Sequence, residues 1–452
     1  MRIFARMDRQ KLVILGGGES GVGAALLGKA KGYDVFLSDR GGLKEQYRAE
    51  MEANQIDFEE GTHTEERVLE ATLVVKSPGI PGTVPLVQKL KAQGTPVISE
   101  IEFAARYTRA RLVGITGSNG KTTTTLLIYH LLKTAGLNVG LAGNIGDSFA
   151  KQVINDIFDW FVLEISSFQL DDMFDTRLNV AVLLNITPDH LDRYNYEFQQ
   201  YVDSKFRIVQ NMQSDDDFIY FDGNEPIKRE LAKRSIPARH LPISLERALS
   251  PGGYFQNGEL VAQNGDHAFT LPVADLPLKG PHNAINMLSA ILAAQSVGVS
   301  ADAIAQGLRT FQNASHRLEP AGQINGVSFI NDSKATNVDS VFYALASMTT
   351  PTVWIAGGQD KGNDYSQIDA LVSERVKGLI CLGVDNQKLV AHFTGRVPQI
   401  FETQSMTEAV QKGLEWAAPG EVVLLSPACA SFDLFRNYED RGEQFKQAVK
   451  AL

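Results

Sequence analysis

One segment, residues 114–125, constrains the fold of this chain more than any other. It reads Gly-Ile-Thr-Gly-Ser-Asn-Gly-Lys-Thr-Thr-Thr-Thr, and it follows the β-leaning residues 107–113. An amphipathic run at residues 126–132 comes next and stops at Gly136. A strand, a glycine-rich loop and a helix in this order place backbone N–H groups and the positive end of the helix around phosphate oxygens. The segment therefore predicts an α/β domain with a nucleotide triphosphate site.

Two side chains at the start of this helix suit the same ligand. Lys121 is expected to reach the β- and γ-phosphates, and the Thr122 hydroxyl is expected to bind Mg²⁺. Ile115 stands where the usual loop of this kind has a glycine, so the loop is a compact variant. A strand–helix turn without a ligand is the structural alternative, but Gly-Lys-Thr at such a junction favours phosphate.

Length and composition exclude several classes of protein. A chain of 452 residues predicts two or three domains, and its net charge of -10 argues against nucleic acid as a partner. The two cysteines, Cys381 and Cys429, fit a reducing cytoplasm rather than a disulfide framework. No apolar run approaches the ~20 residues of a membrane span. The N-terminus carries Arg2, Arg6 and Arg9 without a long apolar segment, which predicts a frayed tail rather than a secretory signal.

Short apolar runs alternate with helical patterns along the whole chain, which predicts mostly parallel sheets built from βαβ units. We expect a Rossmann-like domain at residues 1–108, a central P-loop domain at 109–313 and a Rossmann-like domain at 314–452. Strands are predicted at residues 11–15, 34–38, 73–75, 95–98, 160–163, 180–184, 327–330, 352–356, 378–382 and 422–425. Residues 250–253, Ser-Pro-Gly-Gly, read as a loop tip.

The first domain offers a second candidate phosphate site. Residues 16–21 satisfy the pattern G-x-G-x-x-G, and Asp39 follows about 20 residues later. The pattern suits NAD(P) or any other diphosphate at a helix N-terminus, and a purely structural turn is the alternative. Residues 76–80, Lys-Ser-Pro-Gly-Ile, follow the strand at 73–75 and are expected to face the same crevice, which suits a sugar nucleotide as well as NAD.

Polar residues at strand ends mark the rest of the central domain. Glu164 ends an apolar strand beside the P-loop and is expected to bind Mg²⁺, with a solvated strand end as the alternative. Asn144 and His190 are each ambiguous when taken alone. Lys205 lies on a predicted helix, where lysines are usually solvated.

Three polar motifs in the third domain also follow strands, namely residues 331–336, 356–361 and 426–431. Any one of them could be ordinary loop chemistry. Because open α/β sheets bind ligands at the carboxyl ends of their strands, we expect the three motifs to meet. Their lysines and hydroxyls could hold a small dicarboxylate.

Taken in order, these motifs resemble the Mur ligase superfamily, and within it the ligases that add D-glutamate in peptidoglycan synthesis. Superfamily motifs occur at residues 116–123, 164–167, 185–190, 205, 282–286 and 316–317. The more specific motifs are Asn-Asp-Ser-Lys-Ala-Thr-Asn at 331–337 and Leu-Ser-Pro-Ala-Cys-Ala-Ser at 425–431. The Asp-Asn-Pro-Arg motif of the diaminopimelate- or lysine-adding ligases is absent from the sequence.

The resemblance implies a role for each site residue. It assigns ATP to Gly117, Asn119, Gly120, Lys121, Thr122, Thr123, Asn283, Asn286, Arg317, Asp332 and Lys334. It assigns the UDP-sugar substrate to Ser20, Asp39, Ser77, Gly79, Asn144 and His190. It assigns D-glutamate to Thr336, Lys361, Ser431 and the backbone near Phe432 and Tyr438. It implies two Mg²⁺ ions, one on Thr122 and Glu164 and one on His190 and a carbamylated Lys205. The implied catalytic residues are Lys121, His190, Lys205 and Lys334.

The implied activity is ATP-dependent addition of D-glutamate to UDP-N-acetylmuramoyl-L-alanine by a cytoplasmic bacterial monomer, with no nucleic-acid or membrane partner. Glu19, Arg40, Phe432 and Tyr438 depart from the pattern of the family.

Three other functions are alternatives to this activity. The 331–336 motif argues against a folylpolyglutamate synthetase. An NAD-dependent oxidoreductase leaves the P-loop unexplained, and the third domain opposes a nucleotide switch without catalysis.

Overall fold

The computed structural model describes residues 10–452, so the predicted N-terminal tail lies outside the described residues. These residues form two compact units. The first runs to Asp275 and includes Ile285–Thr310, and the second comprises Leu276–Ala284 and Phe311–Leu452. Three sheets and a mostly parallel central sheet confirm the predicted fold class. The boundaries at residues 108 and 313 stay predictions. Within residues 10–452, no helix is both long and apolar enough to cross a bilayer.

The first unit opens with a five-stranded parallel sheet of order β3-β2-β1-β4-β5. Its strands are β1 (Lys11–Leu15), β2 (Asp34–Asp39), β3 (Asp57–Glu60), β4 (Leu73–Lys76) and β5 (Val97–Ile98). Its helices are α1 (Glu19–Ala30), α2 (Glu45–Ala53), α3 (Glu65–Leu69), α4 (Pro85–Ala92) and α5 (Glu100–Ala105). The predictions missed β3 because this edge strand, Asp-Phe-Glu-Glu, is charged, as edge strands commonly are.

The central sheet has nine strands in the order β14-β13-β12-β11-β10-β9-β6-β8-β7. They are β6 (Arg111–Thr116), β7 (Val139–Gly143), β8 (Trp160–Glu164), β9 (Val180–Leu183), β10 (Asp217–Phe221), β11 (Arg239–Ser244), β12 (Gly252–Gln256), β13 (Glu259–Asn264) and β14 (His267–Pro272). The helices are α6 (Lys121–Thr134), α7 (Phe149–Val153), α8 (Ser167–Leu170), α9 (Phe198–Phe206), α10 (Glu225–Leu231), α11 (Pro281–Val297) and α12 (Ala301–Thr310). Only the two hairpins of β12–β14 are antiparallel.

Two sequence predictions differ from the central sheet. The loop tip at residues 250–253 is partly wrong, because Gly252 and Gly253 belong to β12 and pair with β13. The strand before the P-loop begins at Arg111, since Tyr107 is still hydrogen-bonded to the end of α5. Strand pairing across the sheet decides both cases, and local sequence does not carry that information.

The second unit contains a six-stranded sheet of order β15-β16-β20-β17-β18-β19, parallel except for the β15–β16 pair. Its strands are β15 (Glu319–Ile324), β16 (Val327–Asn331), β17 (Thr352–Gly357), β18 (Val376–Leu382), β19 (Ile400–Thr403) and β20 (Val422–Ala428). Its helices are α13 (Val338–Ala346), α14 (Asp369–Arg375), α15 (Gln387–Phe393), α16 (Met406–Trp416) and α17 (Tyr438–Lys450). Buried residues line both faces of the sheet, as a parallel sheet requires.

The two sheets of the first unit share one hydrophobic core and a set of buried hydrogen bonds. Glu102 on α5 accepts hydrogen bonds from the backbone N–H groups of residues 174–176, which precede β9. On the same helix, Glu100 Oε1 accepts from the Ser148 hydroxyl and from the Ala150 N–H, both at 2.7 Å. The other oxygen of Glu100 is buried and has no hydrogen-bond partner. Burial raises the pKa of Glu100 to about 7.

The Glu100→Gln variant should differ from the parent protein in how stability depends on pH. Because the folded pKa of Glu100 exceeds its unfolded value, its contribution to stability is complete below about pH 4.5. It falls by up to about 3 kcal/mol as pH rises through about 7. Glutamine does not titrate, so the stability of the variant relative to the parent should increase from pH 5 to pH 8 in denaturant unfolding. The exposed Glu66→Gln serves as control. Parallel pH profiles for Glu100→Gln and the parent would contradict the expectation.

Candidate active site

The P-loop between β6 and α6 is held by the segment that follows β9. Asn185 O accepts the N–H of Ser118 at 2.9 Å, and Asn185 Oδ1 accepts the N–H of Asn119 at 2.8 Å. The Ser118 hydroxyl donates to Thr187 O and lies 3.1 Å from the Tyr201 hydroxyl. These two N–H groups are therefore engaged by protein, so a phosphate would have to use donors nearer the start of α6.

The last glycine of the loop is required by its backbone and by a neighbour. Gly120 precedes α6 with φ +83°, a left-handed conformation. A Cβ at this position would lie 2.6 Å from Asn286 Oδ1, which accepts a hydrogen bond from Thr124 Oγ1 at 3.1 Å. The structure thus brings Asn286 of α11, predicted to contact ATP, against the P-loop.

Two lysine ammonium groups meet at one carbonyl of the loop. Lys121 Nζ donates to Gly117 O at 2.7 Å and to Ser118 O at 2.9 Å. Lys205 Nζ donates to the same Gly117 O at 2.8 Å and lies 4.7 Å from the ring centre of Tyr201. Lys205 is on a helix, as predicted, but it is only 1% exposed and so is not a solvated helix lysine.

The buried position of Lys205 has an electrostatic consequence. Burial, reinforced by the charge of Lys121, holds the pKa of Lys205 well below its usual range. Asp189, Asp171 and Glu164 act in the opposite direction. Within residues 10–452, no carboxylate comes within 4.0 Å of this ammonium group, and Gly117 O is its hydrogen-bond acceptor. Lys205 therefore loses its proton more readily than an ordinary lysine.

Glu164 ends β8 beside the P-loop, as predicted, and is only 1% exposed. Its Oε1 accepts a hydrogen bond from Asn144 Nδ2 at 2.9 Å, while its buried Oε2 has no hydrogen-bond partner. Residues 10–452 hold no cluster of three or more histidine, cysteine or acidic side chains suited to a metal. Mg²⁺ bound by one carboxylate, a hydroxyl and phosphate oxygens needs no such cluster, so Glu164 and the buried Thr122 fit the ion.

His190 follows β9 on a left-handed residue with φ +52°. Its ring packs edge-on against Phe168, with ring centres 5.2 Å apart, and its Nε2 lies 3.6 Å from Asp189 Oδ2. The side chain is 43% exposed, which leaves it accessible to a ligand. No sequence pattern pointed to a role for Phe168, which follows Glu164 by four residues.

The two predicted loops of the N-terminal sheet lie together. The Ser77 N–H donates to Leu15 O, and a Cβ on Gly16 would lie 2.7 Å from the Cβ of Ser77. Asp39 accepts the N–H groups of Gly17 and Gly41, so its carboxylate organises the glycine loop. Ser20 lies in the first turn of α1, partly buried.

Glu19 and Arg40 both depart from the family pattern, and the structure shows a role only for Glu19. Glu19 accepts hydrogen bonds from the Tyr47 hydroxyl at 2.7 Å and from the Ser148 N–H at 3.3 Å, so it has a structural role between the two sheets. Arg40 is exposed, and nothing in the structure explains its presence.

In the second unit, Asp332 lies at the end of β16 and is buried. Its carboxylate accepts hydrogen bonds from the Ser426 hydroxyl at 2.9 Å and from the Leu318 N–H at 3.2 Å. Burial raises the pKa of Asp332 to about 7, although Arg317 acts in the opposite direction. Asn283, at the start of α11, is buried and donates to Lys279 O at 2.8 Å.

The residues predicted to bind D-glutamate differ in exposure. Ser431 is buried, Thr336 is partly buried, and Lys361 is exposed. Phe432 is 70% exposed, which is unusual for a side chain of this size. Lys334 Nζ lies 5.1 Å from the ring centre of Tyr438, which begins α17.

Arg441, which was not predicted as a site residue, joins the three strand-end motifs of the second unit. Its guanidinium is 1% exposed and donates to Ser333 O at 2.8 Å, Cys429 O at 3.2 Å and Gly357 O at 3.4 Å. Burial lowers the pKa of Arg441 to about 10. Its position on an ordinary-looking amphipathic helix gave no signal in the sequence.

Comparison with known protein families assigns all three parts of the chain. Residues 11–84 match the MurD N-terminal domain, residues 115–294 the Mur ligase middle domain, and residues 316–429 the Mur ligase, glutamate ligase domain.

Curated relatives match over almost the full length. The UDP-N-acetylmuramoylalanine–D-glutamate ligase of Bacteroides fragilis is 52% identical over 444 residues, covering 98% of this chain and all of the relative. The protein of the same name from Christiangramia forsetii is 50% identical over 443 residues with the same coverage. Among solved structures, UDP-N-acetylmuramate–alanine ligase from Thermotoga maritima has a TM-score of 0.61 at 17% identity, covering 98% of this chain and 100% of that chain. This last likeness shows a shared fold.

Replacing Gly120 by alanine should destabilise the P-loop for two separate reasons. The left-handed backbone costs about 1–2 kcal/mol for a residue with a Cβ, and the new methyl group would displace Asn286. Gly136→Ala isolates the first cost, because Gly136 has a similar φ of +78° and no atoms near the added Cβ. Denaturant unfolding should show the larger loss for Gly120→Ala. Equal losses of stability would mean that Asn286 moves away from the added methyl group without a measurable cost.

Proposed function

The chain belongs to the UDP-N-acetylmuramoylalanine–D-glutamate ligases of the Mur ligase family, and from this premise we propose that it joins D-glutamate to UDP-N-acetylmuramoyl-L-alanine. ATP is converted to ADP and phosphate in the reaction. The observation that carries the proposal is about 50% identity to ligases of this name over the full length of both chains. The proposed setting is peptidoglycan precursor synthesis in a bacterial cytoplasm, by a monomer.

The proposed reaction has two steps that share one activated intermediate. The carboxylate of UDP-N-acetylmuramoyl-L-alanine attacks the γ-phosphorus of ATP, which releases ADP and leaves an acyl phosphate. The amine of D-glutamate then attacks the acyl carbon, loses a proton, and the tetrahedral intermediate collapses to the amide and inorganic phosphate. The first step brings two anions together, so the site must supply positive charge.

Side chains of the first unit match that need. Lys121, at the start of α6, is proposed to bind the β- and γ-phosphates of ATP. Thr122 and Glu164 are proposed to hold Mg²⁺, whose charge would offset that of the phosphates. The buried Oε2 of Glu164, which has no hydrogen-bond partner, supports this assignment, and the hydrogen bond from Asn144 orients the same carboxylate.

The sugar nucleotide is proposed to occupy the loops of the N-terminal sheet. Ser77 and Gly79 lie beside the glycine loop that Asp39 organises, and Ser20 lies at the start of α1. His190, exposed beside Phe168, is proposed to meet the reacting end of this substrate and to serve a second Mg²⁺. NAD does not fit the proposal, because nothing in the chain offers hydride chemistry.

Residues of the second unit are proposed to serve the other two substrates. Asn283, Arg317, Asp332 and Lys334 would contact ATP. Thr336, Lys361, Ser431 and the backbone near Phe432 and Tyr438 would hold D-glutamate. The support comes from Arg441, which ties together the strand-end loops that carry several of these residues.

Phosphate release measured with different amino acids tests the substrate assignment. With ATP and UDP-N-acetylmuramoyl-L-alanine present, D-glutamate should release phosphate far faster than L-glutamate, D-aspartate, L-lysine or meso-diaminopimelate, because buried polar groups penalise a ligand that leaves them unpaired.

Lys121→Ala should reduce the rate of phosphate release by about 100-fold or more without unfolding the protein. The exposed Lys133→Ala on the same helix is the control. Equal rates with L-lysine, or near-normal rates in Lys121→Ala, would refute the assignment.

Lys205 is proposed to act as a carbamate. Loss of one proton would give the neutral amine, which would add to CO₂ to give N-carboxylysine and release a second proton, so that a cation becomes an anion. An ammonium about 4 Å from a divalent ion would be repelled by roughly 8 kcal/mol at an effective dielectric near 20. The support is geometric: Lys205 is 1% exposed and shares the Gly117 carbonyl with Lys121. Its lowered pKa favours the amine form that reacts with CO₂.

Lys205→Ala should therefore lose most activity, and acetate or formate should restore part of it by replacing the missing carboxylate. The exposed helix lysine Lys228 provides the matched control, since Lys228→Ala should keep full activity and show no response to either anion. Labelling with ¹³CO₂ should give a carbamate signal in the parent protein that Lys205→Ala lacks. Full activity in Lys205→Ala, or the absence of the carbamate signal from the parent protein, would overturn the proposal that Lys205 is carbamylated.

A further inference from the structure

Two cationic side chains donate hydrogen bonds to the carbonyl groups of the loop at residues 77–80, which follows β4. Lys76 is only 3% exposed, and its ammonium donates to Ile80 O at 2.7 Å and to Ser77 O at 3.3 Å. The same ammonium forms an ion pair of 2.9 Å with Asp172, which is also buried and lies just after α8 of the central sheet. Lys76 therefore ties the 77–80 loop to the other sheet of the first unit.

A second cation reaches the same loop from the segment that carries His190. Arg193 Nη2 donates to Pro78 O at 3.2 Å, and its Nη1 donates to Gly79 O at 3.4 Å. The guanidinium lies 4.2 Å from the ring centre of Phe168, the ring against which His190 packs. Lys76 and Arg193 together bind all four carbonyl groups of the 77–80 loop.

All four carbonyls of the 77–80 loop bind these cations, and two hydrogen-bond donors of the loop have no acceptor among residues 10–452. The N–H groups of Ser77 and Ile80 donate within the protein, whereas the Ser77 hydroxyl and the Gly79 N–H donate to no acceptor in residues 10–452. Gly16, with φ +101°, lies directly against Ser77 because a Cβ there would be 2.7 Å from the Ser77 Cβ. Unpaired donors beside a glycine-rich turn at the start of a helix suit a diphosphate.

We propose that Lys76 and Arg193 are positioning residues for the sugar nucleotide. They hold the 77–80 loop with its carbonyls away from the diphosphate and its donors toward it. Arg193 also fixes this loop to the Phe168–His190 pair, so that the diphosphate end and the reacting end of one substrate are held in register. The inference deepens the proposed function and rests on it.

Two variants test the proposal with little risk to the fold. Arg193→Gln removes a partly exposed guanidinium, and Lys76→Met with Asp172→Leu removes the buried ion pair as a whole, which avoids leaving one charge buried alone. Arg247→Gln is the matched control, because the exposed Arg247 forms an ion pair with Asp222, which directly follows β10. Titration calorimetry with UDP, with UDP-N-acetylmuramoyl-L-alanine and with ATP supplies the readout.

We expect each test variant to bind both uridine ligands about tenfold more weakly, while ATP affinity stays within twofold of the parent. In steady-state kinetics, KM for the sugar nucleotide should rise more than kcat falls, and Arg193→Lys should recover part of the loss. Hydrogen exchange of the Ser77 and Ile80 N–H groups, which are paired within the protein, should become faster in ligand-free Arg193→Gln. Arg247→Gln should change none of these.

Unchanged uridine-ligand affinity and unchanged hydrogen exchange in Arg193→Gln would overturn the proposal, and this variant decides alone if the double variant does not fold. A loss of ATP affinity equal to that for the uridine ligands would also overturn it, because it would indicate general damage. If the parent protein itself binds no UDP-N-acetylmuramoyl-L-alanine, the proposed function fails instead. Hydrogen exchange then still reports whether Arg193 holds the loop.

Discussion

The Gly117 carbonyl, which accepts hydrogen bonds from both Lys121 and Lys205, is the point on which the central site depends. Two ammonium groups within hydrogen-bond distance of one oxygen repel each other unless an anion or a lost proton offsets the charge. Asp189, Asp171 and Glu164 favour the charged form of Lys205 but do not pair with it. A site with this excess of positive charge suits the phosphates of a nucleotide.

Cations bound to backbone carbonyls recur in this protein, and all of them except the partly exposed Arg193 are buried. Lys205 binds the P-loop, Lys76 and Arg193 bind the 77–80 loop, and Arg441 binds three strand-end loops of the second unit. In each case the cation donates hydrogen bonds to backbone carbonyls, and in the 77–80 loop the Ser77 hydroxyl and the Gly79 N–H are left without an acceptor among residues 10–452. A chain with a net charge of -10 can thereby present local donor surfaces to anionic substrates.

The elements that could be predicted were the buried parallel strands, because their unbroken apolar runs reflect burial on both faces. The strands at residues 11–15 and 180–184 are of this kind, and the structure places β1 and β9 there. The charged edge strand β3 and the antiparallel hairpins of β12–β14 carried no such run. For them, pairing with a neighbouring strand decides the conformation, and the residues of the segment itself record that pairing weakly.

The sequence by itself determined the strand–loop–helix at residues 114–125, the α/β class and which polar residues lie at strand ends, because these follow from local spacing. Only the tertiary structure decided what those residues touch. It placed Lys205 on a carbonyl 88 positions away, joined Asn144 to Glu164, and gave Lys76, Arg193 and Arg441 their loops. The physical reason is that burial and hydrogen-bond partners arise from packing between elements, and a side chain that looks solvated in a local pattern can be the most buried cation of the site.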